Sequence, residues 1–228
     1  MQHGFYQDTI ITIQPNPDYD CNAQGYRTHS IDNISTNDYF VLGCSHTYGL
    51  SLHQEDRFSD RLEKLLDQKV FNFSKPGISG EECVRIMYSL SSLPSPRGVI
   101  ILWPNFIRRN YYDISYHRPK SLVATERRDR SLMQHIINNT TDMNIAHFYN
   151  NMFFAEYWAK VNATQVYHFV AEQSDIDGLV ERQLPTDNIC TTAMSNCLLE
   201  KDFASDGIHL GPNVHNKFAQ IIFDWIKS

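Results

Sequence analysis

The stretch Tyr39-Phe40-Val41-Leu42-Gly43-Cys44-Ser45-His46-Thr47-Tyr48-Gly49 constrains this chain more than any other. A short apolar run rises to a glycine, turns over a small polar cluster and leaves through a second glycine. In an α/β protein such a pattern marks a buried strand that ends in a sharp bend, with one side chain standing at the carboxyl edge of the sheet. Ser45 is the candidate nucleophile. A serine in a turn also serves local hydrogen bonds, so the reading depends on the rest of the chain supplying a base, an orienting acid and donors for an oxyanion.

Downstream, strand and helix patterns alternate. Tyr39–Leu42 reads as a strand, and Glu55–Asp67 carries Phe58, Leu62, Leu65 and Leu66 at helical spacing. Lys69–Ser74 alternates as a strand and is followed by a loop with Gly77 and Gly80. Glu81–Leu93 is a helix with Cys83, Val84, Ile86, Met87 and Leu90 as its stripe. Val99–Leu102 is uninterrupted apolar, as a strand buried on both faces should be. Residues 106–124 read as a long loop rich in Tyr and Arg. Helices are expected at about Glu126–Asn138 and Asn144–Val161, and a strand at Thr164–Val170. Residues 171–204 read as irregular, with a short strand near Asn188–Thr191. The last helix, Pro212–Ile226, has Pro212 in its first turn. Parallel neighbours need crossover helices, and these are right-handed. The expected architecture is therefore α/β: a three-layer α/β/α sandwich around a central, mostly parallel sheet.

The chain has 228 residues, 42% of them hydrophobic, enough for one sizeable core. The expected division is an irregular leader at 1–38, with a short strand at Thr9–Ile13, packed on a domain at 39–228. The leader's Ile10, Ile11, Ile13 and Tyr26 need cover. A net charge of −6 gives no global basic field for nucleic acid or an anionic membrane. Arg108-Arg109 and Arg127-Arg128-Asp129-Arg130 read as local solvated charge or a single anion contact. Five cysteines without a Cys-x-x-Cys pair argue against a zinc knuckle or a disulfide framework and suit reduced thiols in a cytoplasmic setting. The first residues lack the basic and apolar regions of a signal peptide. No apolar run reaches the roughly 20 residues of a membrane span. His46, His53, His209 and His215 match no strong metal-ligand spacing, so no metal and no cofactor is expected.

Ser45, Gly77, Gly80 and Asn105 all fall at ends of strands or the turns after them, which share one edge in an open parallel sheet. Near the C-terminus, Asp206-Gly207-Ile208-His209 precedes the last helix. One tight loop can thus offer an imidazole, His209, and a carboxylate, Asp206, that holds its tautomer and stabilises the imidazolium. Cys44 is the alternative nucleophile, since a thiolate beside a histidine is potent; its place before the turn suits a core-facing thiol.

These residues resemble the SGNH (GDSL-type) hydrolase family. The first block appears as Gly43-Cys44-Ser45-His46-Thr47. The second appears as Asn72 followed by Gly77-Ile78-Ser79-Gly80-Glu81, the third as Leu102-Trp103-Pro104-Asn105, and the last as Asp206-Gly207-Ile208-His209. Asn22 and Gly25-Tyr26-Arg27 resemble a segment that precedes the first block in some members. The resemblance spans residues 39–226 and implies a flavodoxin-like sandwich of about five parallel strands. It also implies roles. Ser45 attacks an ester carbonyl, His209 takes its proton, and Asp206 orients His209. The backbone N–H groups of Ser45 and Gly80, with Gly77 as the alternative to Gly80, and the side-chain amide of Asn105 bind the oxyanion. Cys44 stands where the family usually has Asp, and Pro104-Asn105-Phe106 departs from the third block. Trp103 and Tyr48 are expected to contact substrate, with Phe106, Tyr111 and Tyr112 as further candidates for an acyl or sugar pocket. The expected function is a serine esterase acting on a small-molecule or glycan O-acyl ester. The alternatives are an acyltransferase using the same site and a non-catalytic binding or assembly domain.

Overall fold

The computed structural model describes residues 10–106, 108–113, 118–122, 141–198 and 202–228; at 109–113, 118–122 and 141 it describes the backbone alone. The central sheet is made of β1 (Tyr39–Gly43), β2 (Val70–Asn72), β3 (Gly98–Trp103) and β6 (Gln165–Val170), in the order β2-β1-β3-β6. Every pairing in it is parallel. All residues of β1, β2 and β3 are buried, which is why these strands read as apolar runs rather than as alternation with polar residues.

Successive side chains of a strand point to opposite faces, and the two faces have separate cores. Tyr39, Val41, Ile100, Leu102 and Phe169 pack with Phe58 and Leu62 of α2 (Phe58–Leu66) and with Val214, Phe218 and Ile222 of the C-terminal helix, Pro212–Lys227. Phe40, Leu42, Val99, Ile101 and Trp103 pack on the other face. Their partners are Ile86 and Met87 of α3 (Gly80–Ser89), Phe148, Ala155 and Trp158 of α4 (Thr141–Val161), and Ile176 and Leu179 of α5 (Gln173–Glu181). The C-terminal helix is α6. This is the expected three-layer α/β/α sandwich.

The crossover from β1 to β2 runs through α2 on one face. The crossover from β2 to β3 runs through α3 on the opposite face and passes β1. The winding direction therefore reverses between β1 and β3, and the crevice at their carboxyl ends is the topological switch point. Ser45 follows β1 there, in a short helix α1 (Ser45–Tyr48), and Asn105 follows β3.

Several elements differ from expectation. The helix placed at Glu55–Asp67 begins only at Phe58, because Gln54–Asp56 forms a 3-10 turn, and it ends where Asp67 takes φ 52°. Residues 10–13 carry no strand; Thr9 lies outside the described residues. The expected loop at 106–124 contains an antiparallel pair, β4 (Arg109–Asp113) and β5 (Arg118–Leu122), with Tyr111 opposite Lys120. Its polar composition, with Pro119 inside a strand, gave no strand signal. α5 occupies part of the stretch read as irregular. The short strand near Asn188–Thr191 is reduced to one parallel bridge, His168 to Ile189, and among the described residues the sheet has four strands. The helix expected at Glu126–Asn138 lies outside the described residues.

Residues 10–38 contain one 3-10 turn, Ile31–Asn33. Ile13 and Tyr26 are buried, and the Tyr26 ring packs edge-on against Phe73 with centroids 5.3 Å apart. Among the described residues no helix is long and apolar enough to cross a membrane.

Candidate active site

β1 ends at Gly43, where φ is 158° and a Cβ would run into the Thr47 hydroxyl and come within 2.8 Å of the Leu102 carbonyl oxygen. Only glycine fits there. Ser45 opens α1, and Gly49 closes it in the left-handed region, φ 70°. The N–H groups of Gly49 and Leu50 both donate to the Ser45 carbonyl, at 3.0 and 3.1 Å. Asn72, at the end of β2 and 2% exposed, pins the same turn: its amide donates to the Thr47 carbonyl at 2.7 Å and to Ser59 Oγ at 3.1 Å. Its own carbonyl oxygen accepts from the Ser74 N–H and hydroxyl.

Ser45 is itself 8% exposed. The thiol of Cys44, 5% exposed and part of the core, donates to Ser45 Oγ at 3.7 Å, and Cys44 Sγ accepts from the Arg108 guanidinium. Arg108 was read from sequence as solvated charge or an anion contact; here it reaches the residue beside the candidate nucleophile.

The Asp206 loop is self-organised. Asp206 Oδ1 accepts the backbone N–H groups of Ile208 and His209, at 2.9 and 3.0 Å, and Oδ2 lies 2.6 Å from His209 Nδ1. Burial pushes the Asp206 carboxyl up. The two amides, the imidazole and the Ser51 hydroxyl outweigh that and hold it well below the usual carboxylate range. With Nδ1–H given to the carboxylate, His209 Nε2 is the nitrogen left to accept a proton. The His209 ring packs edge-on against His46, the neighbour of Ser45, with centroids 5.3 Å apart. Burial first, then the adjacent His209 and Arg108, bring His46 down to about 4, so it is neutral at pH 7. The hydrogen bonds of Ser45 and His209 do not join them to each other.

Asn105 accepts the Arg108 N–H on its backbone carbonyl at 3.0 Å and shares with Cys44, His46 and Arg108 a small cavity of about 30 Å³. Gly80 is the first residue of α3, whose N-cap Ser79 accepts from Glu82 N. The Asn151 amide of α4 packs so closely there that a Cβ on Gly80 would lie 2.7 Å from Nδ2. Gly77, φ 74°, has open space around it and serves the turn. A larger groove of about 640 Å³ is lined by Ser51 and Ser205 with Asp18, Asp20 and Glu55; Ser45, Asn105 and His209 do not line it.

Trp103 and Tyr48, expected on the substrate side, are interior side chains. Trp103 is 0% exposed, stacked on His168 and edge-on to Phe148; as the last residue of β3 its side chain falls on the core face. Tyr48 is 2% exposed, packs edge-on against Tyr19 and hydrogen-bonds Cys21 Sγ. His215 is also interior. It stacks on Phe58, its Nδ1 accepts the Phe58 N–H at 3.1 Å, and burial is the main cause holding it down at about 3. Among the described residues no group of three His, Cys, Asp or Glu side chains is placed to hold a metal ion. Sequence reasoning missed Ser51, which donates to Asp206 Oδ2 at 2.9 Å across 155 residues; no local pattern could have found it.

No protein-family model matches the sequence, and no curated protein matches it. Solved structures do. TesA shares 12% identity at a TM-score of 0.54, covering 84% of this chain and 98% of that one. A carbohydrate esterase whose active site displays divergent catalytic and non-catalytic binding functions shares 10% at 0.51, covering 86% and 69%. The psychrotrophic esterase EstA from Pseudoalteromonas sp. shares 12% at 0.51, covering 84% and 100%. At such identities the likeness is one of fold. Sheet order, crossovers and the turn at the switch point define a doubly wound α/β/α protein. Within that class, the fold is that of the SGNH (GDSL-type) hydrolases.

Proposed function

We propose that this protein is a serine esterase that cleaves a small O-acyl ester through an acyl-enzyme. The observation that carries the reading is the 2.6 Å Asp206–His209 pair, packed against the residue that follows Ser45. Ser45 Oγ adds to the ester carbonyl as His209 Nε2 takes its proton, and Asp206 stabilises the imidazolium. The oxyanion takes hydrogen bonds from the N–H groups of Ser45 and Gly80 and from the Asn105 amide. Collapse expels the alkoxide, which leaves as the alcohol with the proton from His209. Water, deprotonated by His209, then releases the acid and frees Ser45.

The cavity of about 30 Å³ beside Cys44 and Asn105 has room for a methyl-sized group, which favours acetyl esters. A glycan O-acetyl is the preferred substrate class, in keeping with the carbohydrate esterase among the similar structures. With an alcohol in place of water, the same steps transfer the acyl group. Trp103 and Tyr48 take no part in substrate contact, because both are enclosed.

A non-catalytic binding role is the second reading, favoured by the near burial of Ser45 and by the missing Ser45–His209 hydrogen bond. Catalytic hydrogen bonds are often long before substrate arrives. Hydrolysis of p-nitrophenyl acetate separates the two. The esterase shows a burst of p-nitrophenol that disappears in Ser45→Ala, and Cys44→Ser retains it. Equal rates in wild type and Ser45→Ala would falsify the nucleophile assignment, and folded wild type without turnover leaves the binding role.

A further inference from the structure

Ser51 lies just beyond α1 and is bound in three directions. Its N–H donates to Tyr19 Oη at 2.7 Å, and its carbonyl accepts the Ser205 hydroxyl at 3.0 Å. Its hydroxyl donates at 2.9 Å to Asp206 Oδ2, the oxygen that also holds His209 Nδ1. Ser51 takes φ 64°, a conformation unfavourable for a residue with a Cβ. The surrounding structure enforces it. Arg27, 4% exposed, donates to the carbonyls of Gly49 and Leu52 at 2.6 and 2.7 Å and, less closely, to that of Tyr48. Its guanidinium lies 4.1 Å over the Tyr19 ring. Tyr19 and Arg27 thus fix both the amide and the flanking carbonyls of one short segment, and that segment presents a single hydroxyl to Asp206.

The two amides of the Asp206 loop hold Oδ1 alone. Oδ2 is set by His209 and Ser51. We propose that Ser51 is a positioning residue for Asp206, and that Tyr19 and Arg27 exist in this arrangement to hold it there. With Ser51 in place the carboxylate plane is fixed independently of the imidazole, so the ring is aimed by a group that does not turn with it. The inference rests on the esterase reading.

The test is Ser51→Gly, which removes the hydroxyl and accepts the backbone angle without strain, measured in wild type and in Asp206→Ala. Asp206→Ala keeps residual turnover from the oxyanion donors and binding. Ser51→Gly is expected to lower kcat for p-nitrophenyl acetate about tenfold with KM unchanged and the thermal midpoint held. In Asp206→Ala it is expected to cost nothing further. An undiminished kcat, or the same fold-loss in both backgrounds, overturns the proposal. The hydrogen-bonded proton between Asp206 and His209, read by NMR and assigned by its absence in Asp206→Ala, is expected to shift in Ser51→Gly. An unmoved resonance also overturns the proposal, and this reading needs no turnover. Failure of the esterase reading shows separately, as wild type without Ser45-dependent hydrolysis.

Discussion

The indole N–H of Trp103, at the end of β3, donates to His168 Nδ1 of the neighbouring β6 at 3.0 Å. That bond fixes the tautomer of a fully buried histidine. Nδ1 is occupied as an acceptor, so Nε2 carries the proton and donates to Glu156 Oε1 at 3.0 Å. Trp103 is thereby a structural post beneath Asn105. Trp103→Phe keeps an aromatic ring and strands His168 Nδ1 without its donor, a loss of roughly 1–3 kcal/mol. Urea denaturation should show this as a lower midpoint at unchanged slope. The KM of the proposed esterase should hold, since the ring is fully buried.

Asn105 and Gly80 are assigned the same task, and their variants test the two assignments separately. Asn105→Ala removes one donor and should lower kcat by about 10²–10³. Gly80→Ala retains the N–H but drives a methyl into the Asn151 amide. It should cost both stability and kcat, and Gly80→Ala combined with Asn151→Ala should recover the stability. A kcat for Asn105→Ala within twofold of wild type would remove Asn105 from the oxyanion site.

Asp175 offers a test of the loop that carries Asn105. It sits in the first turn of α5, 9% exposed, accepts the Phe106 N–H, and its Oδ2 has no hydrogen-bond partner. Burial is the main cause that pushes its carboxyl up to about 7; the Phe106 amide opposes this and Glu172 adds to it. A carboxyl raised on folding favours the native state fully below the unfolded value near 3.9. That contribution is lost as pH rises through about 7. Asp175→Asn keeps an acceptor for Phe106 and carries no charge. It should stabilise the protein by roughly 2–4 kcal/mol at pH 8 and by nothing near pH 4. Parallel urea titrations at the two pH values check the sign. A gain that is constant with pH would mean that folding leaves the Asp175 carboxyl at its unfolded value.

The parts of this structure that were legible in the sequence are those encoded by neighbours. β3 is apolar throughout because both faces are covered, and the Asp206–His209 pair is closed within four consecutive residues. α5 was missed because its stripe is only Ile176, Leu179 and Val180, interrupted by Gly178. The β4–β5 pair was missed because Arg109–Asp113 and Arg118–Leu122 are polar and carry Pro119, with no alternation of apolar residues to mark a strand. Ser51 and Arg108 reach the site across long separations, 155 and 64 residues, and nothing local marks such a contact. Trp103 and Tyr48 were placed at the site by adjacency in sequence. In a strand and a helix, adjacent side chains face different ways, and these two face inward.

Asn72 makes the last prediction, because it holds the turn that carries Ser45 by donors that an isosteric change can delete. Its amide serves the Thr47 carbonyl and Ser59, and its oxygen serves Ser74. Asn72→Asp preserves shape and the acceptor but sets a carboxyl oxygen against the Thr47 carbonyl, in a site 2% exposed. Both burial and that oxygen disfavour the charged form, so the new carboxyl titrates above its ordinary value. The variant should lose about 3 kcal/mol at pH 7 and regain part of it toward pH 4, where the protonated acid again donates. Asn72→Ala, with no group to protonate, should lose a similar amount at both pH values. Because Ser45 is the first residue of the turn that Asn72 pins, kcat should fall in both variants, and in Asn72→Asp the fall should be steeper at pH 8 than at pH 6. Stability of Asn72→Asp that is flat between pH 4 and pH 7 would show that the Thr47 carbonyl does not face this side chain.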